Sequence, residues 1–255
     1  MINWTKYLII KDLHITRLEE KFAGSEELTT KDLLAFFKEL NENVPKSTVN
    51  WRVYELVRNG ILERVGKGRF ILGSESKFHP SISIQIKQLN YKIKKQFPFI
   101  SYCLWDNGMI KPFHQHLPSF RFILVDAEKE VMESLFVFFK EEYKNTYLKP
   151  DKEMMDKYII QDKDSIVVRQ LISESPTQVI DEVATVTIEK MLVDIFADHE
   201  FEYLKGSELL VIFKNAFDHF TINKSKLLRY ASRKGQQEKL LKLLEENNLI
   251  KSRSI

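Results

Sequence analysis

Residues 28–73 read LTTKDLLAFFKELNENVPKSTVNWRVYELVRNGILERVGKGRFILG, and no other stretch constrains the fold as strongly. Thr29 or Thr30 can cap a helix whose apolar residues Leu33, Leu34, Phe37 and Leu40 recur at helical spacing. Asn43 and Pro45 then break the chain, and Pro45 suits the approach to a new helix. That helix is expected over 47–59, with Val49, Val53, Leu56 and Val57 on one stripe facing a core. Its outer side is expected to carry Ser47, Thr48, Trp51, Tyr54, Glu55 and Arg58, flanked by Asn50 and Arg52. The Asn-Gly pair at 59–60 ends it, since glycine takes the left-handed conformation that closes a helix.

Two short apolar runs follow, ILERV and RFIL, joined by Gly66-Lys67-Gly68. This is a tight hairpin with a basic tip. With a further helix over roughly 3–22, the order is that of a winged helix-turn-helix, expected over residues 1–75. A helix fits the major groove of DNA, where Ser47, Asn50 and Arg52 could pair with base edges and Thr48 and Trp51 could lie alongside. Lys46 at the helix start can meet a phosphate. Lys67, Arg69 and Arg64 can grip the flanking backbone. Double-stranded DNA is therefore the expected partner.

The net charge of +3 over 255 residues is modest, so a local patch, not bulk charge, must attract nucleic acid. The length suggests two domains. Gly and Pro number only 8 and 7, which favours helices over long loops. A single cysteine, Cys103, cannot close an intramolecular disulfide, and it lies in the apolar run FISYCLW. A reduced, cytoplasmic protein is expected. No secretory signal and no apolar run of membrane-spanning length is visible, so no membrane partner is expected.

After a linker near 74–80, a second domain is expected over 81–255. Helical spacing returns over 81–96, strands are expected at 99–105 and 120–126, and a helix over 128–142. Residues 166–171 and 183–187 add strands, and the alternation suggests a mixed α/β core with parallel strands. Helices are expected over 187–198, 205–220, 223–234 and 236–248, with Thr187 and Asn223 as caps. The fold class expected is α+β: a winged helix-turn-helix, then a mixed α/β domain ending in helices.

No phosphate-binding loop, zinc-ribbon spacing, G-x-S-x-G or H-E-x-x-H occurs. His114 and His116 form an H-x-H pair, which needs further ligands such as Asp106 or Asp126 to hold a metal, and no metal or cofactor is expected. Asp126, Glu128 and Lys129 place acids and a lysine after a strand, as restriction-type nucleases do, but not at the spacing (D/E)-x-K. An exposed strand-to-helix corner is the simpler expectation there.

In sum of its motifs the chain resembles the AbiEi-type antitoxins, the antitoxin half of AbiE-like type IV toxin–antitoxin pairs, over nearly its whole length. The hairpin has the form L-x-R-V-x-x-G from Leu62 to Gly68. Trp105 is followed by His116-Leu117-Pro118, and Glu174-Ser175-Pro176 precedes Thr187-Ile188-Glu189-Lys190-Met191-Leu192-Val193-Asp194. Gly206-x-Glu208-Leu209, Ile212-Phe213, Ile222-Asn223 and Leu228-Arg229-Tyr230-Ala231-x-Arg233 complete the series.

The resemblance implies a non-enzymatic regulator that represses its own operon by binding the operator upstream. It also implies neutralisation of a toxin of nucleotidyltransferase fold through the C-terminal domain, with or without a stable complex. Trp105, His116, Glu189, Lys190, Asp194, Arg229, Tyr230 and Arg233 are the residues it marks in that domain. Two other readings stand beside it: a stand-alone winged-helix regulator sensing a ligand in its C-terminal domain, and a nuclease domain relying on Asp126.

Overall fold

The computed structural model describes residues 13–25, 27–58, 61–72, 78–114, 118–162 and 164–250. The expected helix at 3–22 lies partly outside these, as do Asn59, Gly60 and His116. The chain is α+β and divides into two compact units, Met1–Lys77 and Phe78–Ile255.

In the first unit, helix α1 (Ile15–Phe22) buries Leu18 and Phe22. Strand β1 (Leu28–Thr29) leads straight into α2 (Thr30–Leu40). Thr29 caps α2 in a reciprocal box: its hydroxyl accepts from Asp32 N, and Asp32 accepts from Thr29 N at 2.7 Å. The Thr29 hydroxyl, which also donates to Asp32 Oδ2 at 2.7 Å, and then the Thr29 amide hold the Asp32 carboxyl below the ordinary range. Helix α3 (Lys46–Arg58) follows, and its first turn closes with Val49 N donating to Pro45 O at 3.1 Å.

Strands β2 (Leu62–Gly66) and β3 (Arg69–Leu72) form the antiparallel hairpin, and β1 joins β3 to give the order β1-β3-β2. The register shifts between Arg64 and Gly66, a bulge next to the turn. Gly68 has φ +71°, and its carbonyl accepts from Thr30 N at 2.9 Å and Thr30 Oγ1 at 3.2 Å. A Cβ at Gly68 would come within 3.0 Å of that hydroxyl, so conformation and space both require glycine. The core is apolar: Leu18, Leu33, Phe36, Phe37, Val49, Leu56 and Phe70 are all within it.

The second unit is built on a four-stranded sheet of β4 (Tyr102–Asp106), β5 (Phe122–Ala127), β6 (Thr146–Leu148) and β7 (Ser165–Gln170), in the order β4-β5-β7-β6. β5, β6 and β7 run parallel, and β4 is antiparallel at the edge. Every residue of β5 is buried, as expected of a parallel strand covered on both faces. Helix α4 (Ile84–Gln96) precedes β4, and α5 (Met132–Glu142) links β5 to β6.

A hairpin of β8 (Thr177–Ile180) and β9 (Val183–Val186) turns at Asp181 and Glu182, both with positive φ. That backbone is the primed turn that suits a hairpin, and without glycine it is strained. Helix α4 braces it: Lys87 pairs with Asp181 at 2.8 Å, and Lys94 Nζ donates to Glu182 O at 2.8 Å. Helices α6 (Ile188–Ala197), α7 (Ser207–His219), α8 (Lys224–Arg233) and α9 (Gln237–Glu246) close the unit. Thr187 caps α6 and Asn223 caps α8. Among the described residues, no helix is long and apolar enough to cross a membrane.

Candidate functional site

Two groupings of chemically capable side chains stand out, one in each unit. In the first unit they are exposed. Val49, Val53 and Leu56 turn α3 towards the core, which leaves Lys46, Ser47, Asn50, Trp51 and Tyr54 outside. Trp51 is 43% exposed and Tyr54 62%, large aromatic surfaces that water does not favour. Thr48 is half-buried. Arg52 is half-buried too, with its guanidinium over the Phe37 ring at 5.1 Å, so part of its role is to pack α3 on α2. Glu55, expected on the outer side, is instead buried. That correction removes a carboxylate from the outer face of α3.

On the hairpin, Arg64, Lys67 and Arg69 are exposed. Arg64 lies over the Phe70 ring at 5.4 Å, and Arg69 pairs with Glu27 at 3.1 Å. Lys67 stands at the turn, with neither kind of contact among the described residues. The unit thus presents a helix face rich in hydrogen-bonding groups and aromatics beside a hairpin with three cations.

In the second unit the charges are buried. Arg169 on β7 reaches Asp126 on β5 (Nε–Oδ1 2.5 Å), Asp194 on α6 (2.9 Å), Asp198 (2.8 Å) and Glu200 (3.3 Å). Lys190 on α6 bonds Asp126 at 2.7 Å and Asp194 at 2.6 Å, one turn along its own helix. Lys234, just after α8, closes on Asp194 at 2.8 Å and Asp198 at 2.5 Å, and the Tyr230 hydroxyl donates to Asp194 Oδ1 at 2.9 Å. Lys190 is 1% exposed and Asp194 0%.

Four carboxylates therefore face three cations. Burial alone would raise the Asp126 and Asp194 carboxyls, but Arg169 and Lys190 beside Asp126 hold the first below the ordinary range, and Lys190, Lys234 and Arg169 hold Asp194 well below it. Burial works against the charged Lys190 and Arg169, yet the carboxylates around them, Asp126 foremost, raise both well above their ordinary values. Asp198 goes the other way: burial and its neighbours Asp194 and Glu200 lift it, so the surplus negative charge is felt there. Burial also pushes up the Cys103 thiol and the Tyr230 hydroxyl.

Of the residues marked in this domain by motif, Lys190, Asp194 and Tyr230 meet in this network. Trp105 does not: it is fully buried and stacks on Phe201 at 5.1 Å. Glu189 is buried and accepts from Asn223 N at 2.9 Å, which fastens α6 to the start of α8. Arg229 and Arg233 stay at the surface and both pair with Glu174. Asp126 is not the exposed corner expected of it, because the end of β5 is covered and its carboxylate belongs to Arg169 and Lys190. Lys129 is exposed.

Arg169, Lys234, Asp198 and Glu200 were not expected in a site. Arg169 had a legible signal, a cation inside the apolar run IVVRQL where a strand leaves it no solvent. Among the described residues, no three His, Cys, Asp or Glu side chains are grouped to hold a metal, and His114 is buried.

The profile of a family of unknown function (DUF6577) matches residues 48–250, most of the chain and parts of both units. The chain belongs to that family. No curated protein matches it. The DUF6577 match starts within α3 and takes in the hairpin and the whole buried network.

Proposed function

We propose that this DUF6577 protein is a DNA-binding regulator whose first unit is a winged helix-turn-helix, with α3 as the recognition helix and the β2–β3 hairpin as the wing. The observation that carries this reading is the pairing of an uncapped-by-acid helix face (Lys46, Ser47, Asn50, Trp51) with a hairpin tip formed by Gly66, Lys67 and Gly68. Helix α3 has no acidic residue in its first turn, so no carboxylate there opposes a phosphate at the positive end of the helix. Arg64, Lys67 and Arg69 supply sequence-independent phosphate contacts, while Asn50 and Ser47 suit base edges.

The fuller reading is an antitoxin of AbiEi type. It would repress its own operon and relieve the toxicity of a nucleotidyltransferase-fold partner encoded next to it. The motif residues Lys190, Asp194 and Tyr230 then act by holding the second unit together, since none of them is exposed. Of the motif residues described there, Arg229 and Arg233 are the exposed ones, which supports a role for them in contact with a partner.

Fluorescence anisotropy with the DNA just upstream of the gene, against scrambled DNA, tests the regulator over a salt series. Sequence-selective binding with a steep salt dependence is expected. Equal affinity for both DNAs would remove operator recognition from the reading. Co-expression with the neighbouring gene tests the antitoxin arm: relief of toxicity by residues 78–255 alone is expected.

A further inference from the structure

We propose that the second unit binds a small phosphomonoester that also carries hydroxyl groups, of nucleoside monophosphate size, in a cleft at the end of β4 and the start of β5. The DNA-binding reading does not use this cleft. Its volume is about 440 Å³, within the roughly 300–1,000 Å³ of small-molecule sites.

The cationic side is made by Arg121 and Lys111. Arg121 donates to Asp106 Oδ2 at 2.6 Å and to Gln85 Oε1 at 2.7 Å. A guanidinium has more donors than those two bonds use, and 32% of the Arg121 side chain stays open. Lys111 is exposed, and no ion pair engages it among the described residues. Ser81 and Ser119 add exposed hydroxyls. Ser83 caps α4 by accepting from Ile86 N at 3.3 Å, which brings the positive end of a thirteen-residue helix to the same wall.

The ligand must offer more than an anion. Asp106 lies in the same lining, 5% exposed, with Arg121 and the Ser83 hydroxyl on its Oδ2. Its Oδ1 sits over Gly108, where an added Cβ would come within 2.8 Å. A carboxylate repels phosphate but accepts from hydroxyl or amino groups, so it suits a sugar ring. Phe120, held edge-on by Tyr203 at 4.9 Å, supplies an apolar wall. Anion, hydroxyl and apolar surfaces in one cleft fit a nucleotide better than inorganic phosphate.

Isothermal titration of the full chain with AMP, GMP, CMP and UMP tests this, with adenosine and inorganic phosphate alongside. Saturable binding of at least one nucleotide is expected, with adenosine and phosphate weaker by about tenfold or more, the size of one lost charge-assisted hydrogen bond. Lys111→Glu is expected to weaken the nucleotide by a similar factor without moving the melting temperature of the free protein, because Lys111 is exposed. Arg121→Lys, which retains a cation beside Asp106, is expected to weaken it as well. The proposal is overturned if none of the four nucleotides binds, if Lys111→Glu binds as well as the parent, or if adenosine or phosphate alone binds as tightly as its nucleotide.

Discussion

The two units use charge in opposite ways. In the first, Lys46, Lys67, Arg64 and Arg69 lie at the surface, where water already solvates them and their contribution to folding is small. In the second, Arg169, Lys190 and Lys234 are folded around carboxylates away from solvent. An exposed cation remains available to a partner, and a buried, fully paired one does not. The comparison separates recognition from architecture: substitutions on α3 and the hairpin should change binding, and substitutions in the network should change stability.

The largest effect is expected at Lys190. Lys190→Met keeps the length of the side chain but leaves Asp126 and Asp194 facing one another without that cation. Breaking one partner out of a buried pair costs about 3–5 kcal/mol, which lowers the unfolding temperature of a unit this size by roughly 10 °C. Calorimetry of the full chain measures it. A loss below about 1 kcal/mol would mean that the network relaxes into water and is not architecture. DNA affinity at a temperature where the variant is folded should be unchanged, and a fall there would break the separation of the units' roles.

Acid should act on the same unit. The folded carboxyls of Asp126 and Asp194 lie below their unfolded values, so the folded state resists protonation. Their contribution is complete above the unfolded value of about 3.9 and is lost as pH falls through it towards the folded values. Asp198 is raised and opposes this in part, since the folded state takes up its proton more readily. Lys190 is raised, so its contribution persists up to its unfolded value of about 10.4 and fades only as pH climbs to the folded one. The melting temperature of the second unit should therefore drop below about pH 4, with Asp198 softening the fall. Lys190→Met should flatten the acid limb, and an unchanged limb would place its origin elsewhere.

Much of this was readable from the residues, and the failures have physical causes. Periodicity placed α2 and α3 to within a residue or two, because amphipathic spacing and the Thr29 cap act locally. β5 and β7 were legible as apolar runs. The β8–β9 hairpin was only half-seen: Asp181 and Glu182 take left-handed backbone without the glycine that marks such turns, because Lys87 and Lys94 on α4 hold them there. β6 is three residues in a polar stretch, and pairing with β7 alone makes it a strand. The network joins residues far apart in sequence, such as Asp126 and Lys234 through Lys190 and Asp194. Only the helical pair Lys190 and Asp194 was spaced to be seen in advance.

A smaller effect, about 1–3 kcal/mol and confined to the preferred sequence, is expected for Asn50→Ala, since a bidentate contact to a base edge is worth that much. Arg52→Ala is a mixed case. Its guanidinium packs over Phe37, so part of any loss should appear as reduced stability of the first unit. Measuring melting temperature and operator affinity together separates the two. If Asn50→Ala weakens operator and scrambled DNA equally, α3 is not the element that reads sequence.

The smallest effect is expected at the hairpin tip. Lys67 is exposed, and neither an ion pair nor a ring contact holds it among the described residues, unlike Arg69 with Glu27 and Arg64 with Phe70. Nothing in the fold depends on its charge, so Lys67→Ala should leave stability within about 0.5 kcal/mol of the parent. Its one expected signature is electrostatic: affinity falls by the same factor for operator and scrambled DNA, and the slope of log affinity against log salt shrinks by about one. Gly68→Ala keeps that charge and should lose stability instead, because φ +71° and the Thr30 hydroxyl both oppose a side chain there. If Lys67→Ala leaves the salt slope intact while Asn50→Ala still loses selectivity, the hairpin does not lie against the DNA. Recognition would then rest on α3 alone.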